Sequence, residues 1–389
     1  MKYAMLILGC IVMLLAGWAS AAPYTPANPA QILERLPYRP NDPVARELKN
    51  LRLQLASDPG KLPLAIKVAR RYVEIGRNTS DPRYAGYAEA ALRPWWSSND
   101  PPVEVRIMRA TLRQRVHQFD LALDDLNEIL RIDPLHSQAR LVRATLLQVQ
   151  GLYDDARHEC ALLSGLVHKL IAVSCSSSVA SVNGELVEAY QQLRTTLERF
   201  PNVQADLRAW AWTGLAEMAV RLGKKQEANA HFLSAVSLDP SDNYLLAAYS
   251  DFLLDHDRAK EVLSLLRNQT RADTLFLRYV LALQAVGSED LTEQCQQLSA
   301  RFEASRMRGD RVHLREEARY QLQLARNPQT ALKLAQKNWD IQKEPADVYI
   351  LLAAARASND HITVTKVKTW IARVRIQDDR LNRLLANVL

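Results

Sequence analysis

The chain has 389 residues, a formal net charge of +7, 48% hydrophobic residues and four cysteines. Beyond residue 22 only Cys160, Cys175 and Cys295 remain, too few to staple so long a chain, so a disulfide scaffold is excluded and an apolar core must carry stability. Basic residues are dispersed, with small clusters at Lys67, Arg70 and Arg71 and from Arg306 to Arg315, and the absence of an arginine-rich tract argues against nucleic acid, while the positive excess favours acidic partners.

Residues 1–21 read as a secretory signal. Lys2 precedes an apolar run from Ala4 to Trp18, and Ala19, Ser20, Ala21 and Ala22 supply the small residues of a cleavage site. The run is shorter than the roughly 20 residues a membrane helix needs, so an uncleaved anchor is the lesser alternative and no integral segment is expected after signal removal. Lipidation at Cys10 is also disfavoured, because few apolar residues precede it. Residues 22–45, rich in Pro, Asn and Ala, form either an extended linker or an ordered strap docked through Ile32, Leu33 and Leu36.

Residues 46–102 are expected to be helical, with a divergent repeat marked by Ala69, Tyr72, Gly76 and Ala88 and an insertion near Asp81 to Tyr84. From 103 to 267 the repetition is clear. Phe119, Ala122 and Pro134 are followed by Ala144, Gly151, Tyr153 and Ala156, then by Gly184, Ala189 and Pro201. Trp212, Leu215, Ala216, Gly223, Ala228, Phe232, Ala235 and Pro240 complete the fullest copy. Steps between the central alanines Ala122, Ala156, Ala189 and Ala228 are 34, 33 and 39, the long one assigned to an inserted turn over Asn202 to Arg208. Such a period means stacked supersecondary units that share one continuous core. Pro134, Pro201, Pro240 and Pro345 fall at expected unit ends, where proline stops a helix. Runs such as Tyr244 to Ala248 and Ile350 to Ala355 have helical periodicity, and no segment alternates like a strand. Residues 268–360 hold further divergent units, at Leu277 to Phe302 and Leu314 to Pro345, and 361–389 a C-terminal capping helix, for six to eight units in all.

The pattern resembles the tetratricopeptide repeat, in which small residues sit where two antiparallel helices touch. His168 replaces proline in one unit, and the fourth-position tryptophan occurs only as Trp212. The resemblance implies an all-α, right-handed superhelical solenoid of antiparallel helix pairs. It also implies a concave groove lined by the first helix of each unit, which is a surface for another protein or a peptide. Carrying the groove positions over residue by residue gives Glu104, Thr111, Gln114 and Arg115, then Gln138, Leu141, Thr145 and Gln148. The next units give Ser174, Ser178 and Ser181, then Trp210, Thr213, Glu217 and Arg221, then Tyr244, Asp251 and Asp255. Trp210 and Tyr244 fall at equivalent positions on successive units, as a pair of aromatic anchors or as packing between units. The serine-rich helix around Ser174 either widens the groove or relieves a crowded helix contact.

Cys160 and Cys175 fall on consecutive helices of this scheme, so they are either a disulfide or two buried thiols. His158 and His168 lie nearby, but residues two apart on a helix point about 200° from each other, so His158 and Cys160 make a poor metal site and neither metal nor cofactor is expected. No phosphate loop, nucleophile elbow or HExxH motif is present. The carboxylate pairs Asp124 and Asp125, Asp154 and Asp155, and Glu316 and Glu317 read as solvated faces. The expected protein is therefore not an enzyme. It reads as an exported, periplasmic scaffold or adaptor for an envelope component, with a metal- or redox-handling accessory and an enzyme with a noncontiguous site as the rival readings.

Overall fold

The structure, a computed structural model, describes residues 42–79 and 81–386. The signal and all but the end of the 22–45 segment lie outside the described residues. The chain divides at Arg46 into two units, of which the first contributes only its last residues, the start of helix α1 (Pro43–Ser57).

Every regular element described is helical. After α1 come α2 (Leu62–Thr79), α3 (Arg83–Ala91) and the short α4 (Arg93–Trp96). Helix pairs then follow in sequence. They are α5 (Val103–Arg115) with α6 (Phe119–Ile132), α7 (Ser137–Val149) with α8 (Tyr153–Leu162), and α9 (Lys169–Ser181) with α10 (Leu186–Arg199). Next are α11 (Ala205–Arg221) with α12 (Lys225–Leu238), α13 (Asn243–Leu254) with α14 (Ala259–Leu266), and α15 (Asp273–Val286) with α16 (Leu291–Met307). The last are α17 (Leu314–Gln323) with α18 (Pro328–Trp339) and α19 (Pro345–Ala357) with α20 (His361–Val374), followed by α21 (Asp379–Ala386). The expected all-α solenoid of antiparallel pairs is observed. With α2 and α3, which also pack as a pair, the described residues hold nine pairs, more than six to eight.

Sequence chemistry accounts for these boundaries. The side chains of Asp242, Asn327 and Asp360 accept hydrogen bonds from the first free backbone N–H groups of α13, α18 and α20. His136 and His168 cap α7 and α9 in the same way through Nδ1. His168 thus ends one unit by capping the next helix, where other units use proline. Pro345 opens α19 as its first residue, where its missing N–H costs nothing. Each turn inside a pair, from α5–α6 to α19–α20, contains one left-handed residue: His117, Gly151, Gly184, Gly223, Asp257, Gly287, Arg326 and Asn359. Glycine takes that conformation without steric cost, and the four other residues adopt it because their flanking helices demand it.

Ala122, Ala156, Ala189 and Ala228 are all buried at the seam between paired helices, where a larger side chain would force the axes apart. Phe232 is enclosed between α12 and α13, its ring 5.1 Å from that of Tyr249. The expected insertion over Asn202 to Arg208 is corrected: the loop ends at Gln204, and the remaining residues lengthen α11 at its start. The expected capping helix at 361–389 proves to be two, α20 completing a pair with α19 and α21 packing against both α11 and α19.

The carboxylates read as solvated need correcting in part. Asp124, Asp154 and Asp155 are exposed, but Asp125, Glu316 and Glu317 are buried. Arginines from facing helices supply the reason. Asp125 accepts from Arg109 Nε and Arg113 Nη1, both at 2.8 Å, and Glu159 in the next unit accepts from Arg140 and Arg143.

The array closes on itself. The Lys343 N–H donates to the Val149 carbonyl at 2.7 Å, and the Leu186 N–H donates to Gln377 Oε1 at 3.0 Å. One apolar cluster joins Ala144, Leu147 and Val179 to Ala331, Ile350 and Trp370. At the other end of the unit, Arg77 pairs with Asp239 and Asp242, and Asn243 donates to the Arg77 carbonyl at 2.9 Å.

Candidate functional site

Closure turns the expected groove into a central cavity of about 710 Å³. First helices from α5 to α15 line it, together with α2, the start of α17, the start of α19 and Arg380 on α21. Of the residues expected on the groove, Arg115, Gln148, Ser178, Ser181, Glu217, Arg221, Tyr244 and Asp251 face this cavity. From α5 to α11 these lie in the C-terminal half of each helix, because that is the end the curvature turns inward.

The remaining expected positions fall elsewhere. Thr111, Thr145 and Thr213 donate their hydroxyls to carbonyls four residues earlier on their own helices, at Ile107, Leu141 and Ala209. Glu104, Gln114, Gln138, Leu141 and Trp210 do not line the cavity, and Asp255 lines a much smaller one behind it. Trp210 is 42% exposed and Tyr244 53%, but only Tyr244 borders the cavity, so the two do not act as adjoining anchors there. The serines of α9 divide between the core and the cavity wall. Ser174 and Ser177 are buried with hydroxyls that lack a partner, while Ser178 accepts from Gln148 Nε2 at 2.9 Å on the cavity wall.

Several cavity residues escaped the sequence reading: Tyr153, Arg278, Arg315, Glu344 and Arg380. Arg278, Arg315 and Glu344 fall in the divergent region 268–360, and Arg380 lies on α21 beyond the last pair. The periodic left-handed turn residues, Asp257, Gly287 and Arg326 among them, are the signal that would have set their register.

The wall is charged, and its charges are organised with buried acids behind it, Glu316 and Asp347, that do not line the cavity. Burial alone would push the Asp251 carboxyl up, but Arg278 and Arg319 outweigh it and hold it well below the usual carboxylate range. Arg278 approaches it at 2.7 Å. For Glu316 the same contest between burial and the guanidinium groups of Arg315 and Arg278 ends at about 2. Asp347 goes the other way, pushed up to about 6 by burial despite Arg315 and hydrogen bonds from Asn338 and the Glu344 N–H. Glu217 is also raised, by burial that the hydrogen bond from Tyr244 OH, at 2.6 Å, only partly offsets. Tyr244 itself is held well above the ordinary phenol range by desolvation and by the Glu217 charge. Its exposed surface faces the cavity, so protein atoms surround it even though water reaches it. Arg221, only 8% exposed, gives two N–H groups to Ser181, to the carbonyl at 2.6 Å and to Oγ at 2.8 Å, and burial lowers its basicity.

Cys160 and Cys175 are joined as a disulfide with Cα atoms 5.5 Å apart, linking α8 to α9 inside the apolar core. With both sulfurs bonded to each other and His168 engaged as a cap, these residues are not available as a ligand set. Among the described residues no group of three or more His, Cys, Asp or Glu side chains is placed to hold a metal ion.

Residues 107–163, from within α5 to the end of α8, match the tetratricopeptide repeat family. No curated protein matches the chain. Solved structures similar to it include a tetratricopeptide repeat protein from Parabacteroides merdae ATCC 43184, 14% identical, covering 75% of this chain and 97% of that one with a TM-score of 0.38. The Cut9–Hcn1 hetero-tetramer of the APC/C is 14% identical over 85% of this chain and 83% of that one, with a TM-score of 0.29. The P58(IPK) TPR domain is 15% identical over 82% and 98%, with a TM-score of 0.24. None of these similarities bears on what this chain binds.

Proposed function

We propose that this chain is an exported scaffold or adaptor that holds a segment of a partner protein, an envelope component, in its central cavity. The observation that carries the reading is the convergence of first helices from successive units on one arginine-bearing cavity. Stacked repeats build such surfaces because each unit adds one helix to a common wall. Export rests on the signal-like residues 1–21, and the Cys160–Cys175 disulfide supports an oxidising compartment. No helix among the described residues is long and apolar enough to cross a membrane.

A photoreactive residue placed at Tyr244, with matched probes at Trp210 outside the cavity and at Glu227 on exposed α12, tests the reading in cells. Capture of one partner from Tyr244 and from neither control supports it. Equal capture from all three positions, or capture from Glu227 alone, refutes it.

A further inference from the structure

Glu217 and Arg221 lie four residues apart on α11, with the acid first, the spacing and order at which helical side chains ordinarily pair with each other. Here no ion pair joins them. Glu217 Oε1 accepts from Tyr244 on α13, and Arg221 donates to Ser181 on α9, so the neighbouring units pull the two groups apart. Neither of those partners is charged. Glu217 and Arg221 are thus an acid and a base on the cavity wall, each hydrogen-bonded only to neutral groups, displaced along the helix by about 6 Å, four residues at 1.5 Å rise.

The other charges nearby are largely paired among themselves. Glu344 lies close enough to act on Glu217 and Tyr244, but its carboxylate is paired with Arg315 at 2.9 Å. Arg380 is paired with Asp255 at 3.5 Å and Asp378 at 3.4 Å, and acts on both Glu217 and Arg221. Asp378 is the strongest charge acting on Arg221, but its Oδ1 is engaged by the Arg380 and Leu381 N–H groups at the start of α21 and its Oδ2 by the Arg380 guanidinium. A purely anionic ligand would meet Glu217, and a purely cationic one would meet Arg221, while Glu344 and Arg380 already have partners of opposite charge. A ligand with both charges compensates both poles, and buried charge without compensation is costly.

We propose that Glu217 and Arg221 form a dipolar subsite for a ligand that presents an amine and a carboxylate about one helical turn apart. The amine meets Glu217 and Tyr244, and the carboxylate meets Arg221. This inference rests on the reading of the cavity as the binding site. An extended chain covers about 3.3–3.6 Å per residue, so two residues provide the separation. The charges are supplied either by the termini of a free short peptide or by alternate lysine and glutamate side chains of a partner segment. A cavity of about 710 Å³ is of the size that encloses such ligands.

Calorimetric titration of the full chain tests this with dialanine, its N-acetylated and its C-amidated forms, and an end-blocked lysyl-alanyl-glutamate. At least one doubly charged ligand is expected to bind tenfold or more tighter than either singly charged dialanine. Tight binding of dialanine identifies free peptide as the source, and tight binding of the blocked tripeptide identifies a partner segment. In Glu217→Gln the discrimination against a blocked amine should vanish, and in Arg221→Gln the discrimination against a blocked carboxylate. If Arg221→Gln loses its helical circular dichroism, Glu217→Gln alone decides, since Gln keeps the hydrogen bond from Tyr244. Binding indifferent to ligand charge, discrimination that survives Glu217→Gln, or no binding by any of the four ligands overturns the proposal. Were Tyr244 probes to capture a partner while no dipolar ligand bound, the adaptor reading would stand and this subsite would fall.

Discussion

Removing the Asp125 carboxylate should be among the most damaging single changes available in the first clear unit. Asp125 is 2% exposed, and three guanidinium groups converge on it: Arg109 and Arg113 by hydrogen bonds and Arg106 at 3.8 Å. Arg106 and Arg109 are themselves buried. Asp125→Ala leaves these like charges together without compensation, and breaking a buried pair from one side costs about 3–5 kcal/mol. A repeat array can lose one region ahead of the rest, so urea unfolding should be read together with hydrogen exchange in α5 and α6. Protection in those helices should drop first and by roughly that amount. Asp125→Leu combined with Arg109→Met, which removes both charges and restores apolar volume, should recover at least half of the loss. Full recovery is not expected, because Arg109 also donates to the Trp96 and Ser98 carbonyls. A loss below about 1 kcal/mol, the range of a surface pair, or a double variant no better than the single one, would refute the assignment of a buried charge cluster.

Four further outcomes are expected. Cys160→Ser with Cys175→Ser should lower stability by about 3 kcal/mol for a loop of this length, and a non-reduced peptide map should recover the two cysteines in one linked species. Burial places the Asp347 carboxyl at about 6, above the value near 3.9 for an unfolded aspartate. The native state therefore holds the extra proton between those values, and stability falls as pH rises through that window. Asp347→Asn should flatten this part of the urea midpoint against pH. Glu316, held at about 2, acts oppositely: its contribution is present above the unfolded glutamate value near 4.3 and is lost as pH falls toward 2, a loss that Glu316→Gln should abolish. Truncation after Asp360 removes Val364, Val367 and Trp370 from the cluster that also holds Trp339 and Ile350. The shortened protein should aggregate in light scattering, and a soluble monomer would contradict the packing.

The extent to which the site could be read in advance differs from helix to helix. Arg115, Gln148, Glu217 and Arg221 were accessible because their units carry the alanine and glycine landmarks that set the register of the first helix. Trp210 shows where that logic stops: a groove position in an open array lies outside a cavity that forms only at the other end of the helix. Arg278 sits in a unit whose turn at Gly287 lacks the following alanine, and Arg315 in one where Ala331 and Ala335 keep the alanine pattern but the left-handed turn residue is Arg326 and no glycine marks it. Asp125 and Glu316 looked like surface acids because a carboxylate reads the same in sequence whether water or arginine solvates it.

By itself the sequence determined the helix pairs, their period and the seams at Ala122, Ala156, Ala189 and Ala228, because close helix contacts, caps and turns depend on residues near one another in the chain. Closure was decided only by the tertiary structure. Small rotations between successive units add up along the array until Lys343 meets Val149 and Arg77 meets Asp242. Those angles arise from the packing of whole helices, which no local period records. The cavity exists because of that sum, and so does the separation of Glu217 from Arg221, which Tyr244 and Ser181 hold apart from opposite sides of α11.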